Sequence, residues 1–226
     1  MTPAAALGND VSTVREVARA HPRLAVFSAA YLAVFLVAGL AIGSDVAIPY
    51  VVLIIAIMAF VCRLDRPYEL GGGVLWGLSV WGLLHLAGGI VPIGSGGGVD
   101  DRTLYNAVLP LELFHFDRLV HAFGFGMATV ACGKVLLRLV PSIRPAWPDR
   151  NDSSRPTTAT YVLVVLAGLG VGAANEILEF ISTLVLPETN VGGYDNTGWD
   201  LIFDLAGGII GTVWLARRPR EGGADG

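Results

Sequence analysis

Six apolar runs, separated by short segments rich in glycine, proline and arginine, dominate the pattern of the chain. They cover residues 24–42, 46–62, 73–91, 113–140, 161–186 and 199–216. A helix of about 20 apolar residues crosses a hydrocarbon core of about 30 Å. The pattern therefore predicts an all-α, polytopic integral membrane bundle of six transmembrane helices. The first run is longer than a signal-peptide core and further spans follow it, so it is read as a membrane anchor. Pro49 falls in the first turn of span two, where its missing N–H does least harm.

The flanks are polar. Residues 1–22 precede the membrane, and Thr13-Val14-Arg15-Glu16 fits a capping box that would start a short interfacial helix. One integral domain is expected over 23–216, followed by a polar tail at 217–226. Arg63-Leu64-Asp65-Arg66-Pro67 reads as a charged loop. Residues 92–110 read as a long glycine-rich loop with Gly96-Gly97-Gly98, either a lid or a flexible connection. Residues 187–198 read as a polar, turn-rich loop.

Composition fits this reading. Only 15% of the residues are charged, against about 25% in a soluble domain. Those charges are segregated by loop. Arg15, Arg19 and Arg23 precede span one, and Arg63 and Arg66 follow span two. Lys134, Arg138, Arg144, Arg150 and Arg155 surround the loop after span four, and Arg217, Arg218 and Arg220 follow span six. The opposite loops hold only Arg102. By the positive-inside rule both termini are expected in the cytoplasm. Cys62 and Cys132 fall near predicted cytoplasmic helix ends and form no metal or redox motif, so both read as small apolar fillers.

The candidate chemistry lies within the spans. Ionisable groups are costly in hydrocarbon and usually line a site or cavity there. Span four opens with Asp117-Arg118-Leu119-Val120-His121, span five carries Asn175, Glu176 and Glu179, and span six carries Asp200 and Asp204. The expected topology brings all of them, with His85 of span three, to one layer in the outer half of the bilayer. Asp117 and His121 are i,i+4, Glu176 and Glu179 are i,i+3, and Asp200 and Asp204 are i,i+4, so each pair shares a helix face. Small residues extend each face: Gly124 and Ala128, Gly168 and Gly172, Gly207 and Gly211. Such residues mark close helix packing, so the acids should point into the bundle.

So many carboxylates in a poorly solvated pocket must be protonated, paired or bound to a cation. Carboxylate and imidazole ligands suit a divalent metal ion, and Asp117, His121, Glu176, Glu179, Asp200 and Asp204 are the candidate ligands and catalytic acids or bases. Arg118 either pairs with an acid or receives an anionic group, and His85 is a weaker addition to the binding set. Three functions follow from one cluster. The first is a metal-dependent hydrolase or transferase acting on a lipid-linked or lipophilic substrate. The second is a proton, cation or small-solute transporter, and the third is a scaffold whose polar knot only fastens the helices. No Walker loop, GxSxG elbow or HExxH is present, and nothing points to nucleic acid.

Over residues 80–212 the chain resembles the VanZ-like membrane proteins, especially their YjdF-type branch. The residues that carry this are Leu84-His85-Leu86-Ala87-Gly88-Gly89, Asp117-Arg118-Leu119-Val120-His121 with Gly124, Asn175-Glu176 with Glu179-Phe180, and Gly198-Trp199-Asp200 with Asp204 and Gly211. Where that branch carries a Gly-Asp-x-Trp-Asp type sequence, this chain reads Asp195-Asn196-Thr197-Gly198-Trp199-Asp200, so no role is carried onto Asp195. The resemblance implies a small multi-span protein of the cell envelope and no particular reaction.

Overall fold

A computed structural model describes residues 10–93, 103–107, 115–143, 158–185 and 193–217. Among them are seven α-helices and a short 3-10 helix at Leu104–Asn106. The amphipathic α1 (Asp10–Ala20) is followed by six helices long and apolar enough to span a membrane. These are α2 (Pro22–Ala41), α3 (Ala47–Tyr68), α4 (Gly72–Ile90), α5 (Phe116–Ile143), α6 (Thr158–Val185) and α7 (Tyr194–Arg217). The protein is thus an all-α, multi-pass membrane protein.

Its exterior is apolar. Val26, Val37, Val52, Leu184 and Ile210 are all more than half exposed, which in water would be a large aggregation-prone surface and in a bilayer is the lipid-facing one. The most deeply packed helices are α4 and α5, with α2 and α3 against one side and α6 and α7 against the other.

Three boundaries differ from the sequence reading. The stretch Arg63 to Pro67 is helical, not a loop. α3 runs through it to Tyr68 and stops at Glu69, whose φ of 47° is left-handed. Polar bonds hold this extension: Asp65 Oδ1 accepts the Gly71 N–H (3.1 Å), and Arg66 pairs with Glu16 of α1 (2.5 Å). The last helix begins at Tyr194 rather than Trp199, because Asp195 in its first turn complements the helix dipole. Thr13 is not the cap of α1, which starts at Asp10; the threonine is buried inside the helix instead. Of the glycine-rich loop, only 92–93 and 103–107 are described, joined by a bridge between Pro92 and Thr103. Gly96 to Gly98 and Arg102 lie outside the described residues.

Contacts between helix ends define the two ends of the bundle. At one end Lys134 of α5 donates to the Leu70 carbonyl (2.7 Å) and Arg138 pairs with Glu69, tying the far end of α5 to the α3–α4 turn. The starts of α5 and α7 lie at the opposite end.

Ser28 of α2 and Ser79 of α4 are buried and hydrogen-bond each other at 2.7 Å. Changing Ser28 to alanine leaves the other hydroxyl without this partner and is expected to cost about 1 kcal/mol. The double alanine variant should lose less than the sum of the two single changes. A double-mutant cycle on unfolding in mixed micelles checks this, with strict additivity as the contrary outcome.

Candidate metal centre

The centre is set by how α5 meets α7. A Cβ on Gly207 would run into the Ala122 carbonyl of α5, and one on Gly211 would run into the Gly126 carbonyl. Gly126 in turn faces the Gly207 carbonyl. The two backbones touch through these glycines, the close approach that small residues permit inside a membrane. His121 precedes Ala122, and Asp204 lies one turn before Gly207. The contact therefore brings the imidazole and the carboxylate face to face: His121 Nδ1 is 3.0 Å from Asp204 Oδ1.

α6 closes the third side. Gly168 lies against Thr129, and a Cβ on Gly172 would occupy the position of the Asp204 carboxylate. One turn further on, Glu176 Oε1 is 3.8 Å from His121 Nδ1. At the other ring nitrogen, Asp117 Oδ1 lies 3.6 Å from Nε2. Asp200 joins that side through Asn196, whose amide donates to Asp200 Oδ2 (2.5 Å) and Asp117 Oδ2 (3.3 Å). Carboxylates thus reach both nitrogens of one imidazole.

Four of the groups are buried, with Asp200 and Asp204 fully enclosed, His121 3% exposed and Glu176 7% exposed, while Asp117 is half-buried. Both Glu176 carboxylate oxygens, Asp200 Oδ1 and Asp204 Oδ2 have no hydrogen-bond partner among the described residues. A buried carboxylate oxygen without a donor costs several kcal/mol unless a proton or cation meets it. Two ligand groups are geometrically compatible with an ion: Asp117, His121 and Asp200, and His121, Glu176 and Asp204, each with ligand atoms within 4.8 Å of one another. One imidazole with several carboxylates suits Mn, Fe or Zn.

The remaining expected residues sit around this core. Glu179 lies beside it and accepts from the Asn175 amide (2.7 Å), and it belongs to neither convergent group. Arg118 lies over the Trp199 ring, 4.6 Å from its centroid, in a cation–π arrangement. His85 is buried but separate, its Nδ1 2.6 Å from the Tyr105 hydroxyl. Between His85 and His121 stand Trp81 and Phe125, in ring contact with each other and with the two histidines.

Sequence reasoning missed three contributors. Asn196 was legible as the i−4 neighbour of Asp200 once the helix start is moved back to Tyr194. Tyr105 carried no signal, being a lone aromatic in a glycine-rich loop; Gly88 makes room for its ring. On α5 the surface against α7 is Ala122 and Gly126, whereas Gly124, which spacing puts on the face of Asp117 and His121, admits the Trp81 indole of α4.

A family model described as "Predicted membrane protein (DUF2238)" matches residues 23–221. The chain belongs to this family. The match takes in all six membrane-spanning helices and every residue of the cluster, and its description agrees with the apolar exterior. No curated protein and no solved structure matches the chain.

Proposed function

We propose that the protein is a metal-dependent hydrolase or transferase of the cell envelope, acting on a lipid-linked or lipophilic substrate. The observation that carries this reading is the set of buried, unpartnered carboxylate oxygens around His121. A purely structural polar knot would pair those oxygens with donors, and four of them, both of Glu176 and one each of Asp200 and Asp204, have none among the described residues. In this reading His121, Glu176 and Asp204 hold a divalent ion, with Asp117 and Asp200 completing or flanking the set. Such an ion supplies Lewis acidity toward a phosphoryl or acyl oxygen and favours ionised water near neutral pH. Asn196 fixes the orientation of Asp117 and Asp200, and Glu179 is placed to exchange protons at the rim.

Two features favour chemistry over transport. A transport pathway needs access from both ends of the bundle. Here the glycine contacts of α5 and α7 begin immediately beside the cluster, and a buried apolar group including Leu70, Val74 and Val130 packs α5 against the start of α4 toward the other end. The distribution of Arg and Lys supports cytoplasmic termini and so an outward-facing site. The resemblance to VanZ-like proteins supports the envelope as its place of action.

The test is elemental analysis of protein purified from cells grown with manganese, iron and zinc, followed by hydrolysis and transfer assays on lipid-linked phosphates and acyl lipids. About one ion per chain is expected. Re-adding it at 100 times its Kd after chelation should raise stability by about 2.7 kcal/mol. Protein that retains no ion and is not stabilised by any of the three refutes the metal reading. Ion binding with no turnover of any lipid substrate refutes the enzymatic one.

A further inference from the structure

A second feature lies in the other half of the molecule. α1, α2, α3 and α4 enclose a cavity of about 480 Å³, within the range of about 300–1,000 Å³ typical of small-molecule sites. Its interior is mostly apolar, and the hydroxyls among its described lining residues, Ser28 and Ser79, already bond each other. Water inside would find few partners, and a site of this kind is poorly suited to hold it.

The basic side chains of the lining stand at one end. Arg15 of α1 and His21 at the α1–α2 junction stand there. The floor, near Leu32, Gly82 and the Trp81 ring, is apolar. From His21 to Leu32 the chain rises about 16 Å, close to half of a hydrocarbon core of about 30 Å. The cavity therefore has the depth of a single leaflet. It also opens sideways, because Ala29 and Ile55 line it and are exposed on the outer surfaces of α2 and α3. α1 adds a cationic rim, with Val17 turned inward and Arg15 and Arg19 exposed.

We propose that this cavity holds one acyl chain of an anionic glycerophospholipid whose phosphate is received by Arg15 and His21. Charge at the rim, an apolar shaft one leaflet deep and a lateral opening match that amphiphile. A neutral hydrocarbon would leave the cationic rim unused, and a free anion would leave the shaft unfilled. The site lies at the end of the bundle opposite the acid cluster, behind the Trp81–Phe125 contact, so this inference does not depend on the enzymatic reading.

The experiment is native mass spectrometry of the full chain released from vesicles of equal phosphatidylglycerol and phosphatidylcholine. One retained phosphatidylglycerol per chain is expected. Arg15→Gln should lower its retention about fivefold, the effect of one basic residue at a lipid surface. Ala25→Trp combined with Ala59→Trp fills the shaft and should abolish retention, whereas Ile210→Trp on the lipid-facing surface should not alter it. As a check independent of variant folding, phosphatidylglycerol with a diazirine-bearing chain should label residues of α2 and α4 that line the cavity in the unaltered protein. Four results overturn the proposal: no retained lipid, equal retention of both lipids, full retention in the tryptophan double variant, or labelling confined to outward-facing residues. A lipid-free dimer would identify a second copy as the occupant and overturn it equally.

Discussion

Alanine at position 121 is expected to weaken divalent-ion affinity at least about 100-fold, since changing even groups that only support metal ligands typically costs 10- to 100-fold. The effect on the folded protein should also be large. His121 is the group that approaches Asp117, Glu176 and Asp204 together. Removing one partner of a buried charged pair generally destabilises by about 3–5 kcal/mol, because the other charge stays behind uncompensated. Two measurements on His121→Ala separate the contributions: calorimetric titration with manganese or zinc, and unfolding in mixed micelles with and without the ion. The added ion should stabilise the original protein and leave the variant nearly unchanged. A variant that keeps its full ion content would remove His121 from the ligand set.

Gly207→Ala is expected to be the most damaging methyl addition in the membrane domain. The new Cβ meets the Ala122 backbone carbonyl, which cannot rotate away as a side chain can. α5 and α7 must then separate, and overpacking of this kind costs about 1–3 kcal/mol and occasionally more. The upper part of that range is expected here, with loss of the ion as well, because the same separation moves Asp204 away from His121. Gly170→Ala supplies the contrast. Nothing lies within 4 Å of its Cβ position, and alanine favours a helix over glycine by up to about 1 kcal/mol, so that change should be neutral or mildly stabilising. Equal stability for the two variants would show that the α5–α7 contact is looser than the glycines indicate.

The convergence of Asp117, His121, Glu176, Asp200 and Asp204 was legible because each is a rare ionisable residue in an apolar span, at helical spacing from a neighbour. Local spacing could not say which acid meets which nitrogen of His121. It grouped Glu179 with Glu176, although their side chains take different surroundings one turn apart. It also read the charged stretches at 63–67 and 194–198 as loops, where bonds from Asp65 to Gly71 and from Asn196 to two aspartates accompany helix. Asp117 is distant in sequence from Asn196, Asp200 lies across an unread helix start, and Asp65 bonds across the turn that ends its own helix.

By itself the sequence determined the solvent of this protein, the number of its spans and the set of groups that must leave lipid. Hydrocarbon cannot hydrogen-bond a backbone and strongly disfavours charge, so those conclusions need no partner. Only the tertiary structure decided the register of α5 on α7, set by Gly207 against Ala122 and Gly211 against Gly126, and with it the approach of Asp204 to Nδ1 of the imidazole and of Asp117 to Nε2. It alone decided that Tyr105 takes His85, and that α1 to α4 enclose a cavity one leaflet deep. The reason is steric: backbone approach and void volume depend on how whole helix surfaces fit together, which no single helix records.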